Sequence, residues 1–316
     1  MLKRMMYKKI DIATGILLSI LLLYIIPTNK EEISLNKKQK LEYIYPNNLE
    51  AIYLLDNNNY LSRTKVSIPD EEETKKATKL IELLTINNKK KDIIPTNFKS
   101  LIPENTKVLD LKLDKGILTI NFSKELNNVK KENEEALIES LIYTLTSING
   151  IEKISIYVNN EPLSNLPNSK KKIPKLLDKK YGINKLYEVT KLNDITSYTV
   201  YYVSNYSDEV YYTPVTKYIN DKKEDKIKII IDELATSLTY QSNLSSYLDN
   251  NIKLINYEIQ DNIIKLNFND LILSDIKNDK ILEEVIYTIG LSISDELNLK
   301  KVIFEVEGNE ICTFLG

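Results

Sequence analysis

Alternating apolar positions occur in two stretches of the chain that are 146 residues apart. In residues 108–122, leucine and isoleucine occupy alternate positions on either side of Lys115-Gly116, and residues 254–268 repeat the pattern around Asp261-Asn262. Alternation of this kind is typical of strands with one buried face, and both central pairs suit the positive φ of a tight turn. Each stretch therefore predicts a β-hairpin, and the common spacing predicts an internal repeat.

Helical periodicity accompanies each hairpin. One predicted helix precedes the hairpin and another follows it, and each of these helices has a single apolar stripe with three- and four-residue spacing. The stripe residues are Ala77, Leu80, Ile81 and Leu84; Leu137, Leu141, Thr144, Leu145 and Ile148; Ile227, Ile230, Ile231, Leu234 and Leu238; and Leu282, Val285, Ile286, Ile289 and Ile293.

Further short strands are predicted at both ends of each repeat. Paired strands open the repeats, at 51–55 with 63–68 and at 199–203 with 210–215, and single strands close them at 154–158 and 302–306. The order β-β-α-β-β-α-β predicts an α+β fold, with each repeat a two-layer sandwich whose helices cover one face of its sheet.

The amino terminus has a different pattern. Lys3, Arg4, Lys8 and Lys9 precede a continuous apolar run at 12–26, which ends in a proline and lacks the small residues of a cleavage site. Fifteen residues span only about 22 Å as a helix, so we expect the preceding apolar residues to help cross the bilayer. The basic residues ahead of the run favour a cytoplasmic amino terminus. We interpret this segment as an uncleaved transmembrane anchor.

Changes in composition divide the chain into five segments. The predicted segments are a cytoplasmic tail and anchor at 1–27, a polar linker at 28–49, a first repeat at 50–163, a connection at 164–197 and a second repeat at 198–316. The connection contains Pro167, Pro174 and several lysines, so we expect it to be polar and exposed.

The composition excludes most common catalytic sites. The 316 residues include no His, one Cys and seven Gly. Without His there can be no Ser-His-Asp triad and no His-bearing zinc site, and no glycine-rich phosphate loop is present. The net charge of −2 and a pI near 5.7 argue against a nucleic-acid-binding protein. We predict that the chain is not an enzyme and has no catalytic, cofactor or metal site.

Three local patterns have ordinary structural interpretations. Ser62 and Lys65 match a Ser-x-x-Lys motif, but they lie on a predicted strand and the chain has no Lys-Thr-Gly partner element. Cys312 follows a core strand, and we expect a buried and inert thiol. Adjacent acidic residues on the predicted helices are expected to face solvent; they are Glu134-Glu135, Asp232-Glu233 and Glu283-Glu284.

A cluster of tyrosines lies in the strands that open the second repeat. Because side chains alternate along a strand, we expect some members to be exposed, where they would suit protein contacts or stacking on cell-wall sugars. The alternative is that they reflect the tyrosine-rich composition alone. The cluster consists of Tyr198, Tyr201, Tyr202, Tyr206, Tyr211 and Tyr212.

The tract IPENTKVLDLKLDKGILTINFS at 102–123, with LIYTLTSINGIEKISIYVNNEPL at 141–163, resembles the GerM domain family, also called the sporulation and spore germination domain. The second repeat keeps Tyr287-Thr288-Ile289 and Glu307-Gly308 but lacks the Ile-Pro start. The resemblance covers about residues 50–312 as a tandem pair. The residues of the first repeat that carry it are Ile102, Pro103, Thr106, Tyr143, Thr144, Leu145 and Thr146, while Asn160 stands where the family commonly has Gly.

The resemblance implies a noncatalytic envelope protein of endospore-forming bacteria, with a fold similar to the ring-building modules of secretion machines. It implies action between the mother-cell and forespore membranes, where the protein would support assembly of an envelope protein complex in sporulation and germination. The expected partners are the membrane and that complex. The alternative is a cell-wall glycan binding module, or an accessory to a wall-modifying enzyme, with peptidoglycan as partner. Family members are typically lipoproteins, and this chain has no Cys near residue 27 to carry a lipid.

The predicted anchor has a direct topological test. Residues 28–316 should lie outside the cytoplasm because the basic residues precede the apolar run. Protease added to intact protoplasts is therefore expected to digest both repeats. Full protection of the repeats, or recovery of a soluble protein that begins after residue 27, would contradict the prediction.

Overall fold

The computed structural model describes residues 41–43, 49–87, 93–206, 209–220, 225–236 and 243–316. The predicted anchor and residues 28–40 lie outside these ranges. Among the residues that the structure describes, no helix is both long enough and apolar enough to cross a membrane.

The hairpins and helices of the first repeat lie close to their predicted positions. A three-residue strand, β1 (Leu41–Tyr43), comes before it, within the predicted linker. The repeat then contains β2 (Leu49–Leu55), β3 (Leu61–Ser67), α1 (Glu73–Leu83), β4 (Val108–Asp114), β5 (Ile117–Phe122), α2 (Glu134–Leu145), β6 (Lys153–Val158) and β7 (Glu161–Pro162). The connection contains one strand, β8 (Leu186–Glu188).

The second repeat has the same order, with longer strands at its start and end and two additional short strands before its second helix. It contains β9 (Ile195–Tyr206), β10 (Glu209–Asn220), α3 (Lys226–Thr236), β11 (Leu254–Gln260), β12 (Ile263–Phe268), β13 (Leu273–Asp275), β14 (Lys280–Ile281), α4 (Glu283–Leu297), β15 (Lys301–Val306) and β16 (Asn309–Leu315). Short 3-10 helices lie at Lys124–Asn128, Lys131–Asn133, Lys179–Tyr181 and Asp270–Ile272.

Each repeat contains a sheet built from its predicted hairpin and closing strand. The orders are β4-β5-β6-β7 in the first repeat and β11-β12-β15-β16 in the second, where β1 adds to β16 in parallel. The pairs β5–β6 and β12–β15 are parallel and are joined through helices α2 and α4. Phe122 pairs with Val158 and Phe268 pairs with Val306, so the two phenylalanines end corresponding strands. Both predicted hairpins are confirmed.

Each repeat has a strand after its predicted closing strand, and the second repeat also has two short paired strands, β13 and β14, before α4. The chain reverses after β6 and β15 through two-residue turns in which both residues have positive φ, Asn159-Asn160 and Glu307-Gly308. Turns of this handedness match the twist of a hairpin, so another strand follows instead of an exit from the sheet. The order is therefore β-β-α-β-β-α-β-β in the first repeat, and the second repeat has the same order apart from β13 and β14. In the first repeat the added strand stops after two residues at Pro162, whereas in the second it runs for seven.

The long last strand of the second repeat requires a glycine on the neighbouring helix. A Cβ added to Gly290 would lie 2.5 Å from Cγ of Phe314, so α4 approaches β16 closely only because residue 290 has no side chain. Thr146 follows Tyr143-Thr144-Leu145 where Gly290 follows Tyr287-Thr288-Ile289. The first repeat accommodates this threonine because its last strand is short and carries no aromatic residue there.

The two hairpins that open the repeats do not pair with the other strands of their own repeats. Together they form one shared sheet. β3 pairs antiparallel with β10 at Arg63 and Tyr212, which gives the order β2-β3-β10-β9, and β8 pairs in parallel with β10 beyond the end of β3. The prediction of one sandwich per repeat, with all its strands in one sheet, is wrong in this respect. Alternation identifies a strand but not the strand beside it, and here the partner comes from the other repeat.

Helices cap both outer strands of the shared sheet. On β2, the Tyr53 N–H donates to Thr144 Oγ1 at 3.0 Å, and the Ser140 hydroxyl donates to the Tyr53 carbonyl at 2.6 Å. On β9, the Tyr201 N–H donates to Ser292 Oγ at 2.9 Å. Hydroxyl groups on α2 and α4 therefore take the hydrogen bonds that another strand would make, which closes these edges to a partner.

The connection between the repeats is mostly exposed, as predicted, and residues 168–172 are all exposed, but four of its apolar side chains are buried. Leu166, Ile173, Leu177 and Ile183 are buried. Leu177 exchanges backbone hydrogen bonds with Ile154 of β6 at 2.8 and 2.9 Å. The buried residues follow neither the two-residue nor the helical period, so the sequence pattern did not identify them.

Asn184 joins the two repeats at the point where backbone pairing is interrupted. The Thr216 N–H of β10 donates to the Ile183 carbonyl, but two residues earlier Pro214 has no N–H to donate. The Asn184 carboxamide occupies this place: Oδ1 accepts the Leu61 N–H at 2.9 Å, and Nδ2 donates to the carbonyls of Leu61 and Pro214 at 2.8 and 2.7 Å. One side chain thus pairs with β3 and β10 as a strand would.

We expect Asn184→Gly to destabilise residues 41–316 by about 2–4 kcal/mol, because backbone groups of buried Leu61 and of Pro214 lose their partners. Asn184→Ala should cost about 1 kcal/mol more, since the residue has φ 46 and alanine disfavours that region. Chemical denaturation measures both losses.

Asn105→Ala is the matched control, because Asn105 is exposed and has a similar φ of 66. This substitution should destabilise the protein by only about 1 kcal/mol, which is the cost of placing alanine at a positive φ. Equal losses for Asn184→Gly and Asn105→Ala would mean that the carboxamide does not join the repeats.

Candidate interaction site

Most of the tyrosine cluster that was predicted to be partly exposed is buried. Four of its six members, Tyr198, Tyr201, Tyr202 and Tyr211, are buried, and Tyr212 is half-buried. Only Tyr206, at the end of β9, is substantially exposed, at 42%. Because the hairpin lies in the shared sheet, other elements cover both of its faces. The expectation that this cluster forms an exposed contact surface is therefore wrong.

On one face, the tyrosines form a polar junction between the repeats. The Tyr201 hydroxyl donates to the Asp295 carboxylate and lies 2.8 Å from the Tyr53 hydroxyl of the first repeat. Lys179 of the connection lies 2.7 Å from Asp295, and its carbonyl accepts the Tyr143 hydroxyl at 3.0 Å. Burial, and then the charge of Asp295, raise the pKa of Tyr201 well above its ordinary value, so the phenol stays a neutral donor.

On the other face of the hairpin, a single carboxylate binds two tyrosines and a lysine. Glu233 of α3 accepts the hydroxyls of Tyr202 at 2.7 Å and Tyr198 at 3.3 Å, and it pairs with Lys217 at 2.7 Å. Burial, and then the charge of Glu233, raise the pKa of both tyrosines. These side chains attach α3 to the sheet instead of offering a surface to a ligand.

Ser62 and Lys65 do not form a Ser-Lys catalytic pair. Three residues apart on β3, they project from opposite faces of the sheet. The Ser62 hydroxyl is buried, with Asp56 Oδ2 at 3.1 Å and Thr213 Oγ1 at 2.5 Å. Lys65 lies over the Tyr287 ring, 5.7 Å from its centroid. Burial lowers the pKa of Lys65 to about 8, although the nearby Glu283 opposes the shift.

Cys312 lies in the core, as predicted. Its side chain is buried in β16. Burial, and then the charge of Glu310, raise the pKa of the thiol to about 12, so little thiolate forms at neutral pH. A thiol in this state is a poor nucleophile and a poor metal ligand.

The acidic helix pairs were predicted to face solvent, and this is wrong for two of them. Glu134 is buried and accepts the backbone N–H groups of Asn168 and Ser169. Burial disfavours its charge, yet these donors hold the pKa of Glu134 below its ordinary value. Glu233 binds the tyrosines described above, whereas Glu283 is exposed as predicted. The buried carboxylates bind groups from other elements, which helical periodicity cannot reveal.

The outer strands β4 and β11 form the best candidate for an interaction site. Within the described ranges, no strand pairs with the outer side of either one. Each has a register shift at the same place, between Val108 and Asp110 in β4 and between Leu254 and Asn256 in β11. Bulges of this kind re-aim side chains at sheet edges.

The register shift exposes one aliphatic side chain in each repeat. Leu109 is 49% exposed and Ile255 is 52% exposed. From the alternation in the sequence alone, each of these two residues was expected to lie on the buried face of its strand, together with the next apolar residues along that strand. Because the bulge inserts one residue into the strand, Leu111 pairs with Ile120 toward the core, while Leu109 falls out of phase. No signal in the sequence marks the bulge.

Comparison with known proteins agrees with this tandem architecture. The family model described as Germane, sporulation and spore germination, matches residues 51–164 and 199–312. The chain belongs to this family. The spore germination protein GerM of Bacillus subtilis (strain 168) is 33% identical over 267 residues, which cover 82% of this chain and 72% of that protein.

A solved structure shows the same arrangement. The tandem GerMN domains of the sporulation protein GerM from Bacillus subtilis match with a TM-score of 0.75 and 30% identity, covering 84% of this chain and 93% of that one. The predicted resemblance to tandem GerM domains is confirmed.

The junction between the GerM repeats can be tested with a double-mutant cycle. We expect Tyr201→Phe to lower the free energy of unfolding by about 2–3 kcal/mol, because Asp295 loses a hydrogen-bond donor. Tyr53→Phe should lower it by about 1 kcal/mol. The two losses should couple by about 1 kcal/mol because the hydroxyls touch.

Urea denaturation of the four proteins measures this coupling. Tyr206→Phe, at an exposed position on the same strand, should change stability by less than about 0.5 kcal/mol. Additive losses for the two buried substitutions would show that the hydroxyls do not interact across the junction.

Proposed function

We propose that this GerM-family protein is a membrane-anchored, non-enzymatic scaffold that supports assembly of an envelope protein complex in sporulation and germination. The observation that carries the proposal is the pair of open strand edges, β4 and β11, held on one body by the shared sheet. Family membership supports the biological setting, and the amino-terminal pattern supports the anchor.

An open strand edge offers a partner both affinity and selectivity. A strand added to β4 or β11 would use backbone hydrogen bonds, each contributing about 0.5–1.5 kcal/mol. Exposed charged side chains flank the edges, Asp110 and Asp114 on β4 and Glu258 on β11. Charges at an edge discourage indiscriminate pairing. Leu109 and Ile255 would supply apolar contact at equivalent places on the two edges.

The predicted anchor would strengthen binding that is weak in solution. A protein held at a membrane surface meets other membrane proteins at a high local concentration. Edges of modest affinity could then assemble a complex at the envelope while remaining unpaired elsewhere.

The environments of the candidate reactive groups support a role in binding. Ser62 is hydrogen-bonded in the core and faces away from Lys65, and Cys312 has a raised pKa. Glu134 and Glu233 are engaged by neighbouring groups. The alternative of a wall-glycan binding module loses its main support, because most of the tyrosines expected to stack on sugars are buried.

The proposal predicts that charges at the two bulges impair sporulation or germination. In a deletion strain, chains carrying both Leu109→Asp and Ile255→Asp should complement poorly, because a carboxylate at the edge opposes strand addition. Both positions are about half exposed, so the melting temperature should fall by only a few degrees. Heat-resistant spore counts and germination rates measure complementation.

Leu271→Asp is the control, since Leu271 is exposed on a 3-10 helix that is not part of either edge strand. It should complement as well as the unaltered chain. Full complementation by the double variant would refute the edges as the binding site, and normal sporulation and germination of the deletion strain would refute the biological role.

A further inference from the structure

The open edges β4 and β11 have segments of equal length and equivalent backbone groups. Between its bulge and its turn, each strand has five regular residues, at 110–114 and 256–260. A two-residue turn follows each segment, and the pair that closes such a turn, for example Asp114 with Ile117, exchanges backbone hydrogen bonds. Because the bonding direction alternates along a strand, the outward N–H and C=O groups belong to the second and fourth residues of each segment.

Antiparallel pairing of one segment with the other brings opposite charges together. When 110–114 lies fully against 256–260, Lys112 is directly opposite Glu258 at the centre. Both side chains are exposed. An opposite-charge pair at directly opposed positions stabilises two neighbouring strands. Exposed carboxylates and amides meet at the two ends of the paired segments, where the pairs are Asp110 with Gln260 and Asp114 with Asn256.

The same register brings apolar side chains together on the opposite face of the sheet. Leu111 is opposite Ile259, and each of them pairs within its own repeat with a buried isoleucine. Leu113 is opposite Tyr257. These four residues also carry the outward backbone groups, so each of the two pairs can exchange hydrogen bonds across the contact. The backbone and both faces of the strands are therefore compatible with one register.

Pairing between two like edges is not compatible in this way. In a full overlap, two copies of 110–114 would place Lys112 opposite Lys112, and two copies of 256–260 would place Glu258 opposite Glu258. Like charges directly opposite each other destabilise a strand pair. A shifted register separates these charges, but it shortens the paired segment or draws a bulge into the ladder. The two edges are thus complementary to each other and not to themselves.

We propose that the partner of these edges is a second copy of this chain, with β4 of one copy paired antiparallel to β11 of the next. The inference rests on the proposed function, because it names the partner of the same two edges. Since the contact joins unlike edges, each added copy presents one edge that is still unpaired. Pairing of this kind extends head to tail from copy to copy.

The contact would be weak in solution and would depend on the predicted anchor. One short strand from each copy buries much less than the roughly 1,200–2,000 Å² of a stable interface. Confinement to a membrane surface raises the local concentration of the copies, which favours pairing there. Leu109 and Ile255 would lie just beyond the paired segments, each beside the turn of the other copy, so the contact includes both exposed aliphatic residues.

The test is disulfide formation between full-length chains that carry two different tags and are produced together in sporulating cells. One chain carries Asp114→Cys and the other Asn256→Cys, at exposed positions that are opposite each other in the proposed register. Mild oxidation should give a disulfide-linked dimer that contains both tags. The natural Cys312 is buried, so it should not take part. Absence of this dimer would overturn the proposal.

Asp110→Cys provides the matched controls, because it lies at the other end of the same segment. Combined with Asn256→Cys, it should give little dimer, since the two positions are far apart in the proposed register. Combined with Asp114→Cys, it reports pairing between two β4 edges and should also give little dimer. A yield in either control equal to that of the test pair would overturn the proposal.

A charge exchange tests the register itself. Lys112→Glu in the chain that carries Asp114→Cys should lower the dimer yield about two- to fivefold, because two carboxylates are then opposite each other. Glu258→Lys in the other chain should restore the yield. A change that only disturbed the fold of one chain would not be rescued by a substitution in the other, so failure of the rescue would overturn the proposal.

Failure of this inference can be distinguished from failure of the proposed function. If the disulfide does not form and the chain with Leu109→Asp and Ile255→Asp still complements poorly, the edges serve the scaffold through a different partner, and only this inference is overturned. If the disulfide forms and that chain complements fully, the pairing of copies is supported and the proposed function is refuted.

Discussion

The architecture depends on the pairing of β3 with β10 across the boundary between the repeats. Backbone pairing alone is sparse there, because Pro214 has no N–H to donate and β3 begins near this point. The Asn184 carboxamide supplies two donors and one acceptor in their place, with all three of its hydrogen bonds made to backbone groups. A residue of the connection is therefore part of the sheet that it connects.

Fusion of the sheets explains why so many polar side chains are buried. Tyr53, Tyr143 and Tyr201 meet where the repeats join, and a buried phenol must find a partner or cost about 1–3 kcal/mol. Asp295 and Lys179 provide these partners from α4 and the connection. The junction thus draws on both repeats and on the segment between them, so residues 41–316 form one unit.

The same arrangement separates closed strand edges from open ones. Hydroxyls of α2 and α4 cap the outer strands of the shared sheet, and β1 covers part of β16. The first repeat ends its sheet with a two-residue strand at Pro162, which has no N–H. Strands β4 and β11 carry instead a bulge with one exposed aliphatic residue each. The closure of the other edges limits association, because every open edge is also a site for unwanted pairing.

Local patterns in the sequence determined the hairpins, the helices and the repeat. Leu118, Ile120 and Phe122 alternate because one face of β5 is buried, and the Ala77–Leu84 stripe has helical spacing because one face of α1 is buried. These constraints act within a few residues, so they can be read without knowing the fold. The motif around Tyr143-Thr144 identified the family for the same reason.

Only the tertiary structure decided which strands are neighbours and which polar groups are buried. The bulge at Leu109, the carboxamide of Asn184 and the carboxylate of Glu134 act through partners from 11 to 123 residues away. Some tyrosines of the cluster were expected to be exposed because alternation assumes that one face of a strand meets water. In the shared sheet both faces are covered, and hydrogen bonds from distant residues, which no sequence period records, make that burial stable.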